Sequence, residues 1–183
     1  MWTGTENRRV LFTGLYNQSF DYVYSYVFAR TAGNRQLTEE IVQETYAAAW
    51  LSLSSFRHQS SCRTWLCSIA KNKLRESYRK AIRREKLEMP DGPVPEDLPD
   101  GADLEALAFS RETGRYVLRV LEEMNPLYRC VLIMKYMDAM RVKEIAKALG
   151  RSPKAVDGIL QRAKGDFRTA YLKLEGRDRN EQG

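Results

Sequence analysis

Histidine occurs once in this sequence, at His58, and cysteine three times, at Cys62, Cys67 and Cys130. A single imidazole leaves His58 as the sole base for any Ser-His or Cys-His catalytic pair. Three thiols are too few for a disulfide framework, and their odd number fits a reducing compartment. His58, Cys62 and Cys67 have a superficially metal-like H-x3-C-x4-C spacing, but a fourth ligand is missing nearby. Cys62 and Cys67, five apart on a helix, are also separated by ~140° of rotation and do not converge. The expectation is no metal, no cofactor and no catalytic centre; a glycine-rich phosphate loop is missing too. No apolar run approaches the ~20 residues of a bilayer-spanning helix. Met1–Val10 offers no apolar stretch for a signal-peptide core. These absences make the expected protein soluble and cytoplasmic, without membrane insertion. Strand-like alternation of useful length and internal repeats are lacking as well.

Charge is plentiful, and it is unevenly distributed. The 183 residues hold 30 Lys+Arg and 24 Asp+Glu, a net +6 at pH 7. A small basic chain points to a polyanion as partner. Residues 1–85 carry 13 basic and 7 acidic side chains, residues 86–110 carry 1 and 7, and residues 111–183 carry 16 and 10. The acidic strip holds four of the six prolines and the turn signal Pro90-Asp91-Gly92-Pro93. Its composition is that of a linker. It is either a solvated tether or a segment that mimics or avoids nucleic acid. The expected organisation is a domain over 1–85, an acidic Pro-rich linker over 86–111 and a second domain over 112–183.

The first block has helical periodicity. Phe20, Val23, Tyr24, Val27 and Phe28 fall on one helix face, with Leu11, Phe12, Leu15 and Tyr16 forming a similar patch before it. Thr38 is the expected N-cap of a second helix, with Glu39 and Glu40 in its first turn and an end near Leu53. Leu37, Ile41, Thr45, Ala48 and Ala49 make its narrow face. A third helix is expected from about Ser61 to Arg84, its stripe formed by Trp65, Leu66, Ile69, Ala70, Leu74 and Tyr78. Lys71, Asn72, Arg75, Arg79 and Lys80 lie off that stripe, and the loop Ser54–Ser60 brings Phe56. An aromatic ring, an amide and a basic face together are the means by which proteins hold unstacked bases. The alternative for Phe56 is a plug that fastens the loop to the core.

The second block spells a different pattern. Val117, Val120, Leu121 and Met124 mark one helix. Asn125 caps the next, with Pro126 at its first position, and that helix is expected to reach Met137 with Leu127, Cys130, Val131 and Met134 inward. Two helices follow, Val142–Leu149 and Pro153–Arg168, the second capped by Ser152. Ala146 is small where helices cross, Gly150 suits a left-handed turn and Val156 packs beneath it. That spacing is the helix-turn-helix pattern, whose second helix enters the DNA major groove; an αα-hairpin without DNA contact is the alternative. Lys154, Asp157, Gly158, Gln161, Arg162 and Lys164 lie on the exposed face.

Ile41-Val42-Gln43-Glu44-Thr45-Tyr46 with Trp50 resembles the D-L-x-Q-E-x-F…W signature of sigma-factor region 2. Phe56-Arg57 and Arg63-Thr64-Trp65-Leu66…Ile69-Ala70-Lys71-Asn72 resemble the F-R-G…T-W-L-x-x-I-A-x-N stretch that follows it. Met124–Tyr136 and Val142–Lys164 look like sigma region 4. Two such regions joined by a short linker resemble the extracytoplasmic-function (ECF) sigma factors. The sequence departs from the family text at Asp157 and Gly158, where a basic residue and Ser are usual, and at Ala139 and Arg141, where Gly and Ser are common.

The resemblance implies an all-α protein of two small domains that binds RNA polymerase core and directs it to promoter DNA. Glu40, Gln43 and Glu44 would dock on core. Phe56, Arg63, Lys71, Asn72, Arg75 and Arg79 would open the −10 element, Phe56 and Asn72 matching the positions that catch a flipped base. Ser152, Lys154, Gly158, Gln161, Arg162 and Lys164 would read the −35 element. Such a protein is not an enzyme, and an anti-sigma factor is a further expected partner. A one-component helix-turn-helix regulator is the alternative, although it leaves Gln43-Glu44…Trp50 unexplained.

Overall fold

The computed structural model describes residues 4–56, 60–84 and 111–181. Seven α-helices and no strand occur among the described residues, as the periodicity predicts. The chain divides into two compact units that meet between Ser77 and Tyr78. The expected linker, 86–110, lies outside the described residues, as do Arg57, His58 and Gln59.

The first unit holds α1 (Gly4–Arg30), α2 (Arg35–Ser52) and most of α3 (Cys62–Arg84). The two apolar patches of the N-terminal block belong to one continuous helix. Phe12, Tyr16, Phe20, Tyr24 and Phe28 recur every four residues along α1. Phe12, Tyr16 and Phe20 meet Tyr46 of α2 at ring-centroid distances of 6.2, 4.7 and 6.4 Å. The Tyr46 hydroxyl also lies 2.9 Å from the Ser19 hydroxyl. Val23, Val27, Ala49, Leu66, Ala70 and Leu74 form the core, all essentially sealed from solvent. Burying one such Val or Leu side chain contributes about 1.5–3 kcal/mol.

The second helix begins earlier than the sequence predicts. Ala32 and Gly33 adopt positive φ (54° and 82°) and turn the chain sharply after α1. Asn34 is the N-cap, its side-chain oxygen accepting from Leu37 N–H at 3.0 Å. Thr38 is instead a buried residue inside the helix. Its hydroxyl donates to the Asn34 carbonyl at 2.6 Å and lies 2.7 Å from the Thr31 hydroxyl. Thr38 and Asn34 are both good caps by chemistry; the left-handed pair at Ala32-Gly33 decides between them.

The second unit contains the end of α3 and four further helices: α4 (Arg111–Glu123), α5 (Pro126–Leu132), α6 (Val142–Leu149) and α7 (Pro153–Glu181). Asn125 caps α5 as expected, accepting from Leu127 N–H at 2.9 Å. This helix does not continue regularly to Met137. It widens into a π-turn over Ile133–Met137, closed by Asp138 N–H on the Ile133 carbonyl at 3.0 Å. Ala139 then takes φ 51°, which explains why a glycine suits that position. Arg141, where a Ser cap is common, has its N–H accepted by Glu144 Oε2 at 2.8 Å.

The helix α7 extends well past Arg168. Phe167 and Leu174 are buried, and Tyr171 lies 6.5 Å from Tyr116 of α4, edge to face. The apolar stripe of α7 therefore continues past Arg168, and this helix packs against α4. Val120, Leu127, Val131, Met134, Ile145, Val156, Ile159 and Ala163 fill the core of this unit.

Candidate nucleic-acid interfaces

Ser61 starts α3, its hydroxyl accepting from Thr64 N–H at 3.1 Å. Leu66, Ala70, Leu74 and Tyr78 turn inward. On the opposite side of the helix, Trp65 and Asn72 lie within ~20° of one another, seven residues apart. Trp65 is thus not a core residue of the stripe, as its apolar character predicts, but a half-exposed ring on the outward face. Phe56 leans on it from the short turn Leu53–Ser55, with ring centroids 4.7 Å apart. Phe56 fastens the loop and at the same time builds an aromatic wall with Trp65. Asn72 is exposed, and its amide has no hydrogen-bond partner among the described residues.

The basic residues of α3 are less uniform than the sequence predicts. Arg63 is exposed, with its guanidinium 5.2 Å from the Tyr22 ring of α1, a cation–π contact. Lys71 and Arg75 are half-buried on the flank. Arg79 is exposed on the part of α3 that belongs to the second unit, where its Nε donates to the Ala148 carbonyl oxygen at 2.5 Å. The six expected residues therefore share one helix and its loop; Phe56 is in contact with Trp65, and Asn72 lies on the same face as Trp65 two helical turns further on.

Glu40, Gln43 and Glu44 are all exposed on α2, opposite the buried Ile41, Val42, Thr45 and Tyr46. Glu40 accepts from Gln36 at 3.3 Å, and Glu44 pairs with Lys73 of α3 at 3.5 Å. A part-exposed pair of this kind is worth about 0–1 kcal/mol, so Glu44 can exchange it for another cation at little cost.

In the second unit, Gly150 ends α6 with φ 65°, and Arg151 N–H reaches back to the Ala146 carbonyl at 3.0 Å. Ser152 caps α7 through Ala155 N–H at 3.2 Å. The small Ala146, the left-handed Gly150 and the buried Val156 lie where the helix-turn-helix needs them. Lys154, Asp157 and Gln161 project outward; Gly158, Arg162 and Lys164 are half-buried beside them. Arg162 folds back along the helix, its Nε donating to the Gly158 carbonyl at 3.3 Å. The Lys164 ammonium sits 5.9 Å from the Tyr136 ring. Behind Arg162 an open groove is lined by Tyr128, Asp166, Thr169 and Leu172. Burial pushes the Tyr128 phenol up, while Arg162 pulls it down.

Cys62 is partly exposed at the start of α3, Cys67 is partly buried and Cys130 is buried. Burial pushes the Cys67 thiol up and does so far more strongly at the sealed Cys130, so neither favours the reactive thiolate. No His/Cys/Asp/Glu group able to hold a metal occurs among the described residues. No helix among them is long and apolar enough to cross a membrane.

A basic helix with an aromatic wall and an exposed amide in one unit and a helix-turn-helix in the other are features of the class of all-helical nucleic-acid-binding proteins. Residues 15–84 match Sigma-70 region 2, and residues 114–166 match Sigma-70, region 4. The ECF RNA polymerase sigma factor SigG of Mycobacterium tuberculosis is 29% identical over 163 residues, 76% of this chain and 43% of SigG. This chain therefore spans less than half of that relative. RNA polymerase sigma factor YlaC of Bacillus subtilis is 28% identical over 167 residues, 90% of this chain and 94% of YlaC. RNA polymerase sigma factor CnrH of Cupriavidus metallidurans is 33% identical over 137 residues, 69% of each chain. A solved structure of CnrH in complex with the cytosolic domain of CnrY superposes with a TM-score of 0.43 and 25% identity, covering 91% of this chain and 90% of that one. The ECF RNA polymerase sigma factor SigX of Bacillus subtilis is 30% identical over 138 residues, 74% of this chain and 70% of SigX, and the chain belongs to the sigma-70 family of RNA polymerase sigma factors, in its ECF group.

Proposed function

We propose that this chain binds RNA polymerase core in the cytoplasm and directs it to a subset of promoters. Residues 1–85 dock on core through Glu40, Gln43 and Glu44 and hold the opened −10 element. Residues 112–183 read the −35 element as duplex, and residues 86–111 join the two domains. The observation that carries this reading is the coexistence of the Asn72–Trp65–Phe56 face and the Ala146–Gly150–Val156 helix-turn-helix in one chain. The first suits a single-stranded base and the second a major groove, and promoter opening needs both.

Catalysis belongs to core polymerase; this chain supplies binding and strand-separation energy. A flipped base loses stacking worth a few kcal/mol. An aromatic wall and an amide that reads its Watson–Crick edge replace that loss. Arg63, Lys71, Arg75 and Arg79 supply positive charge toward the backbone of the same strand. Ser152, Lys154 and Lys164 position the duplex, while Gln161, Arg162 and the close approach allowed by Gly158 serve base contact. An anti-sigma protein is the expected inhibitor, since the faces used for core and DNA are exposed and can be masked.

Binding assays separate this role from that of a one-component regulator. The purified chain should co-elute with core polymerase, and its affinity for promoter duplex should rise strongly when core is present. Tight duplex binding by the chain alone, with no retention by core, would support the regulator instead.

A further inference from the structure

Asp157 stands on the outward face of α7, where a carboxylate has no obvious business near a polyanion. It lies five residues into the helix, beyond the first turn in which a helix dipole rewards negative charge. Among the described residues it has no ion pair or hydrogen bond, although Lys154 and Gln161 stand about one turn to either side. Lys154, Asp157 and Gln161 share a ~60° sector of the helix surface, and all three are exposed. Arg162 lies ~100° round from Gln161 and is turned back onto the Gly158 carbonyl. The centre of the helix face is therefore held by Asp157 and Gln161 rather than by an arginine.

We propose that Asp157 is a specificity-determining residue that selects a cytosine in the −35 duplex. The inference rests on the helix-turn-helix role proposed above. A carboxylate only accepts hydrogen bonds. In the major groove it is repelled by phosphates, by guanine N7 and O6 and by thymine O4; the donors are cytosine N4 and adenine N6. Adenine sets the N7 acceptor beside its donor, so the second carboxylate oxygen disfavours it. Cytosine presents its N4 donor without that neighbour. Asp157 and Gln161 are ~6 Å apart along the helix axis, close to two base-pair steps of ~3.4 Å each. The selected cytosine thus lies within two pairs of the one read by Gln161. Asp157 also penalises every sequence that puts an acceptor before it, which narrows the set of promoters used.

The test uses the full chain with core polymerase and a duplex promoter library randomised across the −35 region, with bound molecules sequenced. The wild type should select a −35 motif containing one position with strong preference for cytosine. Asp157→Ala should reduce that preference about 5- to 150-fold and leave the other positions alone. Asp157→Asn, whose amide pairs with adenine N6 and N7, should move the preference to adenine at the same position. Both variants should show the wild-type melting curve, since Asp157 is exposed. A motif unchanged in both variants would overturn the inference while sparing the helix-turn-helix role, as would a uniform gain in affinity with no change in preference. A wild type that selects no −35 motif at all would overturn both.

Discussion

Asn72 turns its amide to solvent two helical turns from a tryptophan that a loop phenylalanine already braces. A residue in this position contributes little to folding, because its side chain contacts no core residue and ends in water. Asn72→Ala should therefore melt like the wild type and bind core equally well. Its loss should appear in promoter opening, as a fall of about tenfold or more in the permanganate reactivity of −10 thymines, the scale of one charge-free base contact near 1.4 kcal/mol. A pre-melted template should restore part of the signal, since strand separation is then already done. Opening of linear duplex at the wild-type rate would remove Asn72 from base capture.

The turn between α6 and α7 sets how the recognition helix is presented. Gly150 holds φ 65° with open space around its Cα, so a side chain there meets backbone strain rather than a clash. A left-handed L-residue costs roughly 1–2 kcal/mol, more for a β-branched one. Gly150→Val should lower urea stability by about 2 kcal/mol, whereas Gly150→Asn should lose only a fraction of that, because asparagine tolerates the conformation. Equal losses in the two variants would mean that bulk, not φ, governs this turn. Elements of this kind were the most legible in the sequence. Ala146, Gly150 and Val156 act through contacts a few residues apart, and so do the Asn125 cap and Pro126. What the sequence hid depends on distant partners. The sequence points to Thr38 as the cap of α2 because the left-handed Ala32-Gly33 pair is invisible in composition. The sequence pattern ends α7 too early because Tyr171 finds its partner Tyr116 on α4, far away in sequence. Trp65 reads as core by its hydrophobicity, yet its place on α3 puts it opposite the buried stripe. Arg162 reads as a base reader, and the sequence does not show that its guanidinium lies back along the helix on the Gly158 carbonyl.

At the scale of the whole chain, two basic helical blocks with different cores are strung on either side of an acidic, proline-rich segment. One block has a face suited to an unpaired base and the other a face suited to a duplex groove; neither is sufficient to choose and open a promoter. Under the function proposed above, residues 1–85 and 112–183 divide the labour, and core polymerase is the third body that holds the two stretches of DNA at a fixed separation. The most direct measurement is transcription in vitro with purified core polymerase on sheared genomic DNA of the source bacterium, followed by sequencing of RNA 5′ ends. Core plus this chain should start transcripts at a restricted set of sites that share −10 and −35 motifs, and core alone should not. Start sites with the same distribution in the presence and absence of the chain would contradict the assignment.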